Sequence, residues 1–438
     1  MKQYSRRVVI TGLGGICPLG STLEEIWNAI REGRSGVTRL DWKLEACPTF
    51  LAGAPAKQFT GEIDDFGPLE KEQKKAIRKG LKVMCRECQL GVAAAQRALA
   101  DAGFLPGAFD PERCGVSFGA DYMLSDPEEF CEGVKYCVDE QGRYCFKHWG
   151  TEGMTKLMPL WLLKYLPNMP ASHLAIYNDF RGPNNSLTMR EASSLAALVE
   201  AYQVIRRGDA DLMLVGATGT RLHPMKLIHL LGQEEVALHD GDPAGLCRPF
   251  DLTRCGQVPG EGAGAIVLEE LQTALARQAR IYGEVMAAAT SAVAGRRLLA
   301  DRRQAVRNVL HAVLAGATLP VDKLGHIHAH GLATISSDAE EAQAIHDVFS
   351  ARSHPLPVTA AKSYFGNLGA GGGMVELITS LLALREGRLF PIRNHTLTAP
   401  DCPITAVRDW SFSPGDSFIK LNVTLQGQTA AALIRRFE

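Results

Sequence analysis

The chain has 438 residues, 46% hydrophobic and 22% charged, enough for two or three ordinary domains or one large two-part unit with a substantial core. A formal net charge of −1 gives no electrostatic reason to expect nucleic acid or an anionic membrane as a partner. No apolar run approaches the roughly 18 residues needed to span a bilayer, and the N-terminus MKQYSRRVVITGLGG lacks the apolar core and cleavage site of a signal peptide; the expectation is a soluble, cytoplasmic protein without membrane insertion.

Residues 6–10 alternate into a strand, residues 11–20 read as a glycine-rich turn, and Thr22-Leu23-Glu24-Glu25 opens a helix with a capping-box start. The run Gly12-Leu13-Gly14-Gly15-Ile16-Cys17 lacks the third glycine of a dinucleotide fingerprint, and no Lys-Ser/Thr follows it. It therefore predicts a tight turn packed on a sheet, and no cofactor. Downstream, helix 84–102, strands 115–119 and 186–189, helix 192–207 and strand 211–217 alternate. Glycine-rich PGEGAGAIVLEEL (259–271), helix 301–315, strand 324–329, helix 338–349 and a glycine-rich helix start at 366–374 follow, before closing strands 417–423 and 429–435. Alternation of this kind predicts an α/β layered protein.

SSLAALVEAYQVIRRGDA (193–210) and VELITSLLALREGRLF (375–390) echo one another, each an apolar helix after a small-residue turn that ends in basic residues and glycine. Two related halves breaking near residues 265–285 explain both length and echo. Residues 120–180, rich in aromatics, acids and cysteine, read as an insertion that caps a site or makes a subunit contact. The 11 cysteines are scattered, which predicts free thiols rather than a disulfide framework. Cys85-Arg86-Glu87-Cys88 is a C-x-x-C inside a helical pattern with no second pair at zinc-ligand spacing, so it reads as structural and no metal is expected.

In GPNNSLTMREASSLAALVEAYQVIRRGDADLML (182–214), Glu191 stands at a turn feeding a helix N-terminus. Such a turn offers unpaired N–H groups and a positive dipole end, and it is where many α/β enzymes expose a nucleophile. Three other stretches read as loop tips at strand ends. HIHAHGLATISSDAEEAQ (326–343) presents His330-Gly331, AAKSYFGNLGAGGGMVE (360–376) sets Lys362, Gly366 and Asn367 before a helix, and LNVTLQGQTAAAL (421–433) joins two strands. His, Lys and Asn together can polarise a carbonyl or carboxylate; a packed histidine, a helix-capping lysine and an N-cap asparagine account for the same residues.

RRVVITGLGG-x-x-P-x-G (6–20), RGP (181–183), GDAD (208–211), FDLTRCGQVPGEGAGA (250–265), HG-x-x-T-x-x-x-D (330–338), KSYFGN (362–367) and the closing LNVTLQGQT resemble, in order and spacing, the β-ketoacyl-ACP synthases of the elongating condensing-enzyme family. The resemblance implies the thiolase fold, with two pseudo-symmetric βαβαβ-type halves in an α/β/α/β/α arrangement. The first half is residues 1–265, with the insertion at about 120–180 capping the pocket or the dimer interface, and the second is residues 266–438. It also implies a tight homodimer or heterodimer and fatty-acid or polyketide assembly, with acyl chains carried on the phosphopantetheine of acyl carrier protein.

Carried over position by position, the resemblance puts Glu191 where the family has its nucleophilic cysteine. His330 matches the first catalytic histidine, Lys362 the lysine, and Asn367 the place of the second histidine. Leu425, Gln426, Gly427 and Gln428 match the loop that gates the acyl pocket. A carboxylate is a poor nucleophile toward thioesters and a glutamyl anhydride is too reactive to hold a chain, so condensation by this chain alone is not expected. Three readings follow: a chain-length-factor-like subunit in which Glu191 locks His330 and Lys362 into an ion-paired cluster; an enzyme with altered chemistry, such as malonyl-ACP decarboxylation using Glu191 and His330; and a scaffold in which these residues pack. Against the second, an ionised Glu191 about 4 Å from a substrate carboxylate would repel it by about 4 kcal/mol at an effective dielectric near 20.

Overall fold

The computed structural model describes residues 6–40, 51–105, 107–238, 241–296 and 299–437. The first strand, β1, runs Val8–Ile16 and so absorbs most of the glycine stretch expected to turn. The correction has a packing cause. A β-carbon at Gly12 would lie 2.3 Å from the Ala98 carbonyl oxygen, and one at Gly14 2.1 Å from that of Ala94, both on helix α2 (Arg86–Asp101). The glycines let a helix backbone lie directly on a strand. The capping box is present: Thr22 Oγ1 accepts from Glu25 N–H at 3.2 Å and Glu25 Oε2 accepts from Thr22 N–H at 3.0 Å, opening α1 (Leu23–Arg31).

The remaining strands of the main sheet are β2 (Cys114–Ala120), β3 (Asn184–Leu187), β4 (Leu212–Thr220), β5 (Glu261–Glu270), β6 (Gly283–Ala292), β7 (His326–His328), β8 (Pro357–Thr359), β9 (Thr405–Ala406), β10 (Ser417–Val423) and β11 (Gln428–Arg435). They lie in the order β9-β8-β7-β10-β11-β6-β1-β5-β4-β2-β3. From the middle outward, β1 pairs antiparallel with β5 and β5 with β4, then β4–β2 and β2–β3 are parallel. On the other side β6–β11 and β11–β10 are antiparallel, then β10–β7, β7–β8 and β8–β9 are parallel. The two sides repeat one topology and are joined through a three-pair contact, Val8–Ile10 with Gly283–Val285. Residue 265 lies within β5.

The echoed segments are helices α3 (Ser193–Arg207) and α7 (Gly372–Glu386), each closed by a left-handed glycine, Gly208 and Gly387. They pack on each other and on strands from both sides: α3 on β2, β4, β6 and β11, and α7 on β1, β5, β4, β7 and β10. From Gly372 to Leu384 every α7 residue is buried, because the helix lies between two sheet faces. Outside lie α2, on β1, β5 and β4, and α5 (Arg302–Ala317), on β6 and β11 and backed by α6 (Ile335–Phe349). The layers therefore run helix, sheet, helix, sheet, helix. In the insertion, helices Glu128–Lys135 and Met169–Asn178 flank a run of short turns that leaves Phe146, Leu160 and Leu162 exposed. No helix among the described residues is long and apolar enough to cross a membrane.

Candidate active site

β3 leads through Met189 and the turn Arg190–Ala192 into α3, just as β8 leads through Lys362–Phe365 and Gly369–Gly371 into α7. The repeat of topology brings these two loops together. Arg190 has φ of 51°, a left-handed conformation that costs a non-glycine residue on the order of 1–3 kcal/mol. The turn is held by Ser193, whose hydroxyl accepts from Met189 N–H at 2.8 Å and donates to the Ala120 carbonyl at 3.2 Å. Glu191 consequently points inward and is 3% exposed.

Its carboxylate is engaged mainly through Oε1. Glu191 Oε1 accepts from the Arg221 guanidinium and from Asn367 Nδ2 at 3.1 Å, and Oε2 lies 3.6 Å from Arg190 Nε. Arg221 follows β4 and also approaches Glu234 at 3.4 Å and Asp121 at 3.8 Å. Arg190 pairs with Glu234, which stands at the C-terminal end of α4 (Pro224–Gln233). Asn367 donates to Gln257 Oε1 at 2.7 Å, Gln257 donates to Glu234 Oε2 at 2.6 Å, and Asn367 Oδ1 accepts from Gly369 N–H at 3.1 Å. Burial by itself would push the Glu191 carboxyl up; Arg221, then Arg190, outweigh it and hold the group down at about 2. Burial likewise opposes the charge on Arg221, while Glu191, Asp121 and Glu234 raise it above the ordinary arginine value. The pair stays ionised.

His330, Lys362 and their neighbours form a second buried cluster. Lys362 Nζ pairs with Glu376 Oε1 at 2.5 Å and donates to the His330 carbonyl at 2.9 Å and to His330 Nδ1 at 3.2 Å. Lys420 Nζ takes the other Glu376 oxygen at 2.6 Å. Glu341 accepts the backbone N–H groups of His330 at 2.6 Å and Gly331 at 2.9 Å. Burial, followed by Lys362, Lys420 and Arg221, holds the His330 imidazole well below its ordinary value, so it is neutral. With Lys362 donating to Nδ1, the ring proton sits on Nε2, a buried N–H that has no partner among the described residues.

The structure thus joins Glu191 to Asn367 and His330 to Lys362. The expected locking of His330 and Lys362 by Glu191 is corrected: Arg221 neutralises Glu191, and Glu376 neutralises Lys362. Gln426, Gly427 and Gln428 lie at the β10–β11 hairpin. Gln428 N–H donates to Thr424 Oγ1 at 3.1 Å, a β-carbon at Gly427 would meet Ala300 Cβ at 3.0 Å, and Arg302 donates to the Leu425 carbonyl at 3.2 Å. Sequence reasoning missed Arg221, Glu234, Gln257, Glu376 and Lys420. A signal existed for two of them: Glu376 is the lone charge in GGGMVELITSLLAL and Lys420 the lone charge in SFIKLNV, and a charge in a buried apolar element requires a counter-charge. The thiol that touches the site is Cys247, which donates to the Lys362 carbonyl at 3.1 Å; burial pushes it up to about 12. Among the described residues no group of three or more His, Cys, Asp or Glu side chains is placed to hold a metal.

The repeated sheet topology, the paired central helices and the two loops meeting at their N-termini define a thiolase-like ketosynthase fold. The chain matches the β-ketoacyl synthase N-terminal domain over residues 5–274 and the C-terminal domain over residues 282–396. It is 30% identical over 417 residues to 3-oxoacyl-(acyl-carrier-protein) synthase 2 of Synechocystis, covering 94% of this chain and 92% of that one. A β-ketoacyl synthase from Burkholderia phymatum superposes with a TM-score of 0.83 at 26% identity, and the ishigamide ketosynthase/chain length factor with 0.82 at 24%; each covers 99% of this chain and 100% of the other. The chain belongs to the β-ketoacyl synthase family.

Proposed function

We propose that this chain is a ketosynthase-like protein of fatty-acid or polyketide biosynthesis that does not condense alone, and acts as a chain-length-factor-like subunit binding acyl chains or acyl carrier protein beside a cysteine-bearing synthase. The observation that carries the reading is the state of Glu191. By the resemblance it stands at the position of the family's nucleophile, and its carboxylate is ionised, buried and engaged by Arg221, Asn367 and Arg190. A carboxylate paired with two guanidinium groups is a poor nucleophile toward a thioester, and burial holds the neighbouring Cys247 as a neutral thiol. The side-chain N–H groups of Asn367 are also spent, on Glu191 and Gln257, which leaves the position without an oxyanion donor.

One observation favours a second reading, malonyl-ACP decarboxylation at His330 and Glu191: the unpartnered Nε2–H of His330 can donate to a thioester carbonyl. Two assays separate the readings. Incubated alone with malonyl-ACP and acyl-ACP, the purified protein should release no CO2 and form no β-ketoacyl product; co-expressed with an intact ketosynthase, it should co-purify and shift the product's chain length. Carbon dioxide release that His330→Ala abolishes would replace the first reading with the second.

A further inference from the structure

The Cys85-Arg86-Glu87-Cys88 motif plays no part in the site above, yet the fold completes it with a third sulfur. Cys85 Sγ lies 3.7 Å from Cys88 Sγ and 3.7 Å from Met123 Sδ, and Cys88 Sγ lies 3.8 Å from the same Sδ. Met123 comes from the segment after β2, far from the motif in sequence, so the triangle is a product of tertiary structure. The centre of a near-equilateral triangle lies at its edge over √3 from each corner, here about 2.2 Å, close to the ~2.3 Å of a zinc–thiolate bond. Cys88 and Met123 are buried, whereas Cys85 is half-buried and gives access. Cys85 is also the N-cap of the 16-residue α2.

We propose that Cys85, Cys88 and Met123 form a three-sulfur site for a soft monovalent metal ion, with Cu(I) as the ligand class. Two thiolates and a thioether are the donor set that selects Cu(I), and trigonal geometry suits it. Zinc is disfavoured because it takes four N, O or S donors, and no third His, Cys, Asp or Glu completes such a group among the described residues. Binding exchanges two thiol protons, released to solvent, for one cation, so the site passes from neutral to a single negative charge without any change of oxidation state.

The test uses the reduced, full-length protein under anaerobic conditions, titrated with Cu(I) in competition with a chromogenic Cu(I) chelator. The expected result is one tightly held equivalent whose X-ray absorption shows three sulfur neighbours. Cys88→Ser and the near-isosteric Met123→Leu should each weaken that equivalent at least about tenfold, and Met123→Leu should lower the sulfur count to two. Cys145→Ser, outside the cluster, should leave it unchanged. Thermal stabilisation of the wild type by Ag(I), reduced in Met123→Leu, gives a second readout that also reports folding of the variants. Equal Cu(I) affinity in wild type and Met123→Leu, a two-sulfur spectrum in both, or no Cu(I) uptake by protein that only forms a Cys85–Cys88 disulfide in air, overturns the proposal.

Discussion

At the scale of single residues, two buried clusters share one region, and in each a carboxylate is paired with two cations: Glu191 with Arg221 and Arg190, and Glu376 with Lys362 and Lys420. Breaking a buried pair leaves one charge without a partner in a low-dielectric interior, which costs about 3–5 kcal/mol. Glu191→Gln should therefore lower stability at pH 7 by about 3 kcal/mol, read from urea midpoints. The pH dependence has a definite sign. The folded pKa of Glu191 lies below its unfolded value, so its contribution is complete above the ordinary carboxylate range and fades as pH falls through the lowered value of about 2. The gap between wild type and Glu191→Gln should thus be constant from pH 7 to about 5 and narrow below that. A gap independent of pH would mean that the carboxyl titrates alike in the folded and unfolded protein, and a gap that widens as pH falls would mean that it is protonated in the folded protein at neutral pH. Glu191 was legible as an anomaly in sequence. Its partners were not, since Arg221 and Asn367 are 30 and 176 positions away.

At the scale of elements, local rules placed most helices and strands and failed where packing overrode them. The capping box before α1 and the glycine ends of α3 and α7 are set by neighbours in sequence, so they could be read directly. The glycines of β1 were misread as a turn because glycine serves turns and close backbone contacts alike, and only the position of α2 distinguishes the two uses. Gly14→Ala drives a β-carbon into the Ala94 carbonyl and should cost about 3 kcal/mol or more, or prevent folding. Gly232→Ala, in helix α4 with nothing within 4 Å, should instead raise stability by about 0.5–1 kcal/mol. Thermal melts of the two variants check this contrast, and similar losses in both would show that α2 does not press on β1.

For the whole molecule, we propose that the two halves fold as complementary units whose functional break follows strand β5 rather than residue 265. Cutting at 265 severs β5, which pairs along its length with both β1 and β4. Cutting between Gln278 and Ala279 parts the connection between β5 and β6 and leaves both strands whole. Co-expressed fragments 1–278 and 279–438 should assemble into a soluble complex, whereas 1–265 with 266–438 should not, as size-exclusion chromatography of tagged fragments would show. By itself, the sequence determined the α/β alternation, the doubled architecture and the family, because these rest on periodicity, an internal echo and motifs contiguous in the chain. Tertiary structure decided which charge neutralises which, why β1 carries glycine, and that Met123 meets the Cys85–Cys88 pair. Those facts depend on distances between residues remote in sequence, and such distances exist only once the two sides of the sheet close on α3 and α7.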